Sequence, residues 1–281
     1  MTEIVASPQA EDGAAAQPAE VEQRTSPMVF QYRVLKAIVL RQIAHTSGES
    51  RLGLLASIVM PVVTIAAITI FFGLRGKTIP TNMPLGVFVV TGYPLWIGFQ
   101  NLYTKVLGAS TRTDPLLMFP QITQLDLIFG TIIIEFATQT VVFIVLSLGV
   151  LVIFSAKPPA DGFGVLLCLW GCMWIGAAIG MILCGLQRVA PMLVQFINTF
   201  MRFGMWVSGV LYSINRLPSF LYPYLQWNPI LHLIEGCRTL WTPAFEAPIF
   251  SPAYVFEIGF ILTTLGFVIE RITRRFVGNH S

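Results

Sequence analysis

The chain has 281 residues, of which 55% are hydrophobic and 11% charged, with a formal net charge of +3. A soluble domain carries about 25% charged residues; this composition, with a mean hydropathy of +0.73, describes a multi-span membrane protein instead. So small a net charge gives no support to a nucleic-acid partner. Cys168, Cys172 and Cys184 lie in apolar sequence and Cys237 in a short helix. With no His or carboxylate beside the first pair, they read as packing residues, neither disulfides nor a metal site.

In chain order, residues 1–27 form an acidic tail in which Glu3, Glu11, Asp12, Glu20 and Glu22 face only Arg24. No basic start leads into an apolar run, so no cleaved signal is expected and the tail reads as disordered. Residues 28–50 carry Arg33, Lys36, Arg41 and His45 and read as an interfacial helix. A six-span transmembrane domain follows over 51–275, with spans near 52–72, 85–107, 127–154, 163–184, 192–213 and 253–270, and a C-terminal tail over 276–281. The expected fold class is an all-α integral membrane protein: six transmembrane helices plus short re-entrant or interfacial helices on the outer side.

Pro61 is expected to kink the first span. Gly76-Lys77-Thr78 follows it, but the first glycine of a phosphate-binding loop would fall at Phe71, so the chain has no ATP site of that kind. Tyr93, Trp96 and Tyr103 on the second span suit an interface or a channel wall. The polar connection 104–126 holds a short apolar run, Leu116 to Phe119, between Pro115 and Pro120; such a segment suits lying flat on a partner protein. Glu135 lies in the third span, Trp170 and Trp174 one turn apart in the fourth, and Arg202 in the fifth.

The segment 214–252 is interrupted by Pro218, Pro223 and Pro229 and carries Arg216, His232, Glu235 and Arg238. Asn228-Pro229 reads as a helix start, with Asn as N-cap. The spacing predicts His232, Glu235, Arg238 and Thr239 on one side of a helix too short to cross a hydrocarbon core of about 30 Å. Non-helical backbone at that depth is tolerated only when buried in protein or lining a wet cavity, and the segment is expected to be an outer, wet mouth. With six spans, eleven Lys and Arg fall on the side of the termini against five opposite, which places both termini in the cytoplasm. No internal repeat supports a transporter built on inverted halves.

Ionisable residues within spans are functional candidates, since one costs about 2.5–3.5 kcal/mol at the centre if unpaired. Glu135 and Arg202 lie at similar depth, so they either pair structurally or Arg202 lines a polar path with Glu135 nearer the gate. Phe196, Phe200, Phe203 and Trp206 follow helical spacing beside Arg202. Such a stripe is packing or lipid contact, or it faces a cavity where rings and Arg suit a sugar chain; Trp170 and Trp174 have the same two readings.

LLMFPQITQLD with Glu135 downstream, followed by SGVLYS, LP and WNPILHLIEGCR, resembles the permease subunit of type-2 ABC exporters, and above all those of capsular polysaccharide export in Gram-negative bacteria. The likeness covers most of the chain after residue 28. It implies a homodimer with two cytoplasmic ABC ATPase subunits, which would bind the ATP and Mg, so that no cofactor belongs to this chain. It also implies a coupling helix carrying Arg112, Asp114, Leu116, Leu117, Phe119, Pro120 and Gln121, and outer re-entrant helices holding Arg216, Asn228, Pro229, His232, Glu235 and Arg238. The cargo would be a lipid-linked, often anionic glycan moving between the subunits, with periplasmic and outer-membrane export proteins continuing the path from the bacterial inner membrane. Arg202, Arg216 and Arg238 would meet its charge, and Phe200, Phe203, Trp206, Trp170 and Trp174 would line its way. The alternatives are the same architecture carrying O-antigen, teichoic acid or a drug, a proton-coupled transporter using Glu135, and a non-transporting anchor.

Overall fold

A computed structural model describes residues 51–74, 83–108 and 123–278, together with helical positions at Arg33, Lys36, Ala37 and Leu40. Among the described residues the protein is all-helical. The main helices are α1 (Arg51–Leu74), α2 (Leu85–Gly108), α3 (Gln124–Ile153), α4 (Gly162–Gln187) and α5 (Pro191–Val207). Two single 3₁₀ turns, Ile214–Arg216 and Ser219–Leu221, then lead to α6 (Tyr222–Leu225), α7 (Pro229–Trp241) and α8 (Pro252–Gly278). Three of these, α3, α4 and α8 over Pro252–Thr273, are long and apolar enough by themselves to cross a membrane. The helix of α1 is continuous through Pro61.

The centre of the bundle is α2 against α4, and α4 in turn packs on α8 and α7. The close approach of α2 and α4 has a residue-level cause. A Cβ on Gly176 would sit 2.6 Å from the Phe99 carbonyl oxygen, and one on Gly180 would sit 2.9 Å from that of Tyr103. Small residues one turn apart let two backbones meet and gain dispersion contacts, which is the main attraction available between helices in lipid. Fifteen residues of α2 are buried, including Trp96, Phe99 and Tyr103, whose rings step along the helix at 5.2 and 5.4 Å. Of the aromatics expected at an interface or a channel wall, Trp96 and Tyr103 are instead packed inside the protein and Tyr93 is half-buried.

Helix ends are fixed locally. Thr123 and Asp126 form a reciprocal capping box at the start of α3, which is where the 109–122 connection ends. Asp161 caps α4 through the Gly164 N–H at 2.9 Å. Asn228 accepts from the N–H groups of Ile230 and Leu231 at 3.0 and 3.4 Å, with Pro229 in the first turn, as the sequence predicts. The fifth helix is shorter than the expected span 192–213. It stops at Val207, and Gly209 follows at φ +72°, a left-handed geometry that glycine adopts without steric cost. Seventeen residues rise only about 25 Å, somewhat less than a hydrocarbon core of about 30 Å.

Candidate functional site

The segment after Gly209 is organised by Arg238. Its side chain is fully buried, and it donates to the Val210 and Tyr212 carbonyls at 3.2 and 3.1 Å and to Glu235 Oε1 at 2.8 Å. The guanidinium lies 3.7 Å from the centroid of the Phe88 ring on α2. Glu235, also fully buried, accepts from the Ile214 N–H at 3.4 Å as well. The two charges of α7 therefore satisfy backbone groups freed where α5 unwinds, and they do so inside the protein. Where a wet mouth lined by these side chains was expected, the face that spacing placed together points inward, and Glu235 and Arg238 have no exposure. Burial pushes the Glu235 carboxyl up, against the pull of Arg238, and pushes Arg238 down, so the ionised pair is held by mutual attraction against desolvation.

His232 performs a second fastening. Its Nε2 lies 2.8 Å from the Gln226 carbonyl and its Nδ1 accepts the Ser251 N–H at 3.2 Å. A carbonyl can only accept, so Nε2 carries the proton and the ring is neutral. Burial lowers the pKa of this imidazole, with the Gln226 carbonyl opposing. Tyr254 packs against the ring at 4.9 Å. The end of α7 is pinned too: the Trp241 indole donates to the Lys157 carbonyl at 3.2 Å, and Asp161 N–H to the Leu240 carbonyl at 3.0 Å. Ten of the thirteen residues of α7 are buried, so this helix is wedged within the bundle. Arg216, by contrast, is exposed on the 3₁₀ turn, as are Phe220, Tyr224 and Trp227 beyond it.

Glu135 is buried and pairs with Lys105 of α2 and with Gln139, the latter at 2.8 Å. Of the two options open in the sequence, the Glu135–Arg202 pair does not form. Lys105 was missed as a partner because it counted only towards the basic side. The usable signal was its long stem near a span end, which lets the ammonium travel along an apolar surface. Also unforeseen is Arg188, which donates to Gln124 and lies 4.0 Å from Glu270, joining the same ends of α3, α4 and α8.

The aromatic stripe of α5 is present and uncovered. Phe196, Phe200, Phe203 and Trp206 are 69%, 72%, 62% and 63% exposed, and Arg202 is exposed beside them. Phe196 and Phe200 stack at 6.4 Å. Only Val194 of this helix is buried. Trp170 and Trp174 do not join the stripe. Their indoles donate at 3.0 Å to Thr140 on α3 and Thr263 on α8, respectively. Arg112, Asp114, Leu116, Leu117, Phe119, Pro120 and Gln121 lie outside the described residues, as do the acidic tail and the Gly76-Lys77-Thr78 loop.

Comparison with known proteins places this arrangement. The capsule polysaccharide export inner-membrane protein CtrC of Neisseria meningitidis serogroup A is 23% identical over 86% of this chain and 91% of its own length. BexB of Haemophilus influenzae, of the same description, is 24% identical over 75% of this chain and 80% of its own length. The polysialic acid transport protein KpsM of Escherichia coli is 22% identical over 84% of this chain and 92% of its own length. The family model for ABC-2 type transporters matches residues 33–241, which takes in every helix from α1 to the buried α7. The chain belongs to the ABC-2 type transporter family.

Proposed function

We propose that this chain is the membrane subunit of an ATP-driven exporter that carries a lipid-linked capsular polysaccharide across the bacterial inner membrane. The observation that carries the reading is the uncovered α5 face, where four aromatic rings and Arg202 lie along one helix. Rings offer apolar surface to the C–H faces of sugars, and Arg binds carboxylate or phosphate through paired hydrogen bonds. A second copy of the chain, placed with its own α5 opposite, encloses a path with such a lining. The named relatives give the cargo class by their descriptions.

In this reading α1 to α5 and α8 are the six spans, both termini are cytoplasmic, and α7 is a re-entrant helix on the outer side. The 109–122 connection receives two cytoplasmic ABC ATPases, which bind ATP and Mg. Its stems are α2, tied to α3 through Lys105 and Glu135, and the capping box of α3. A push on the connection is thereby delivered to two helices together. Periplasmic and outer-membrane export proteins take the glycan onward.

The test is a mild-detergent pull-down with surface glycan measured alongside. Recovery of an ATPase at one copy per chain, lost when Leu116 and Phe119 are replaced by Asp, is the expected result. Arg202→Glu should abolish surface glycan while the protein still inserts. Absence of an ATPase, or near-normal export by the Arg202 variant, overturns the reading.

A further inference from the structure

Between Glu257 and Glu270, α8 carries twelve uncharged residues. They rise only about 18 Å, against a hydrocarbon core of about 30 Å, so at least one end of the run is charged at membrane depth. The packing of α8 on α4 says which. A Cβ on Gly259 would meet the Trp174 ring at 2.8 Å, one on Gly266 would meet Met181 Cβ at 3.1 Å, and one on Gly185 would lie 3.3 Å from the Glu270 backbone nitrogen. These three pairs share one sequence offset, so the two helices run side by side in step, and the same offset sets Glu257 level with Cys172. That is ten residues, or about 15 Å, below the start of α4 at Gly162. The whole of α4 is uncharged and rises about 39 Å. With the core centred on it, Glu257 lies about 10 Å inside the outer boundary.

The inner end of the run is provided for. Glu270 is buried and faces Arg188 at 4.0 Å, and Arg271 has a long stem that carries its head towards the surface. Glu257 is exposed on a short stem, and among the described residues it forms no ion pair or hydrogen bond. Phe260, Ile261, Thr264, Leu265 and Val268, three or four residues apart, extend the same exposed face inwards. The Thr264 hydroxyl is turned back onto the Phe260 carbonyl at 2.9 Å, so the face is apolar apart from one carboxylate, which is costly at that depth unless paired. We propose that this face of α8 receives one transmembrane helix of a partner protein, apolar except for a Lys or Arg in its outer third that pairs with Glu257. Charge complementarity identifies the occupant: lipid tails or a wholly apolar helix would leave the carboxylate unpaired. The ammonium of a phospholipid headgroup stays above the hydrocarbon boundary, about 10 Å away, whereas a Lys or Arg on an adjacent helix can be carried at the depth of Glu257. Both α5 and α8 pack on α4 and share no seam with each other among the described residues, so a second copy seated on α5 leaves this face open. The inference takes from the exporter reading only which end of α8 is outer, and adds a partner held within the membrane.

The test places a benzophenone amino acid at position 261 of the full chain in its native membrane. Irradiation should crosslink it to one protein, and the attached peptide should lie in a span with a Lys or Arg near its outer end. Glu257→Lys should lower the yield about tenfold, the scale of one polar contact between helices in lipid, and changing the partner's cation to Glu should restore it. A crosslink to lipid alone, to a second copy of this chain or to a span without a cation overturns the proposal. So does a yield that Glu257→Lys leaves unchanged, or that the partner's reversed charge fails to restore. Topology is read separately from Ala244→Cys, at an exposed position just beyond α7. All four native cysteines are buried, so a charged, membrane-impermeant maleimide reports the new thiol and should label it from outside the inner membrane. Labelling only from the cytoplasmic side removes the topology of the exporter reading and this proposal with it; outside labelling with no partner crosslink removes this proposal alone.

Discussion

Replacing Arg238 by Met should be among the most damaging single changes outside the helix–helix seam. The substitution removes two donors from the Val210 and Tyr212 carbonyls and leaves the Glu235 carboxylate without its cation, the two side chains of the pair being at zero exposure. Each orphaned carbonyl costs about 1–3 kcal/mol, and breaking a buried pair by removing one partner costs about 3–5 kcal/mol in total. Glu235 has an escape: burial already raises its pKa, and taking up a proton caps the loss at the lower part of that range. Glu235→Leu with Arg238→Met should therefore recover part of the stability, though not the two carbonyl bonds. The assay is a double-mutant cycle by denaturant titration of the protein in mixed micelles, with export measured in parallel. A coupling energy of about 2 kcal/mol or more is expected for this pair. Additive effects, or an Arg238→Met protein as stable as the parent, would refute the claim that these charges hold the unwound backbone after α5.

Three further outcomes follow from the same structure. His232 is neutral with a lowered pKa, so the unfolded state binds its proton first. Stability of the 226–251 region should be full above about pH 6.5 and fall as pH drops from there towards the folded pKa; amide exchange at Ser251 should accelerate over that window, and His232→Gln should flatten the dependence. Gly176→Ala should destabilise the α2–α4 seam by about 1–3 kcal/mol, since the new Cβ meets the Phe99 carbonyl at 2.6 Å. Gly149→Ala, which meets nothing within 4 Å, should stabilise α3 by about 0.5–1 kcal/mol; melting temperatures of the two variants check the contrast. Coupling between Lys105 and Glu135 in a double-mutant cycle should be smaller than that between Glu235 and Arg238, because Lys105 is 48% exposed and solvent screens it.

Sequence carried the helical class, the α7 start and the stripe on α5 because these depend on local pattern. Asn-Pro sets a helix start by itself, and a spacing of three or four assigns a common face whatever lies opposite. Where that face looks is another matter. Glu235 and Arg238 share a side, but only the position of Phe88 and of the 208–214 turn decides that the side is interior. Depth along a span could be counted for Glu135 and Arg202, whereas the direction each faces around its helix axis depends on how α2, α3 and α5 are arranged, so Lys105 took the place expected for Arg202. The early end of α5 was signalled by Ser208-Gly209, which the run of apolar residues on both sides concealed. Trp170 and Trp174 illustrate the reverse case: residue type suggested a shared path, whereas their hydrogen bonds run to Thr140 and Thr263, with Trp170 exposed and Trp174 half-buried.

The bareness of α5 bears on how the cell handles this chain. A helix with one buried residue leaves Gln195, Thr199 and Arg202 facing outward, and in a lone chain within the bilayer the arginine alone costs about 2.5–3.5 kcal/mol. Covering that face removes the penalty, so an unassembled copy is the less stable species and the one in which helix ends open most readily to a membrane protease. Surplus copies would then be cleared while assembled ones persist. Its abundance would follow that of whatever covers α5, giving matched stoichiometry without any control of synthesis.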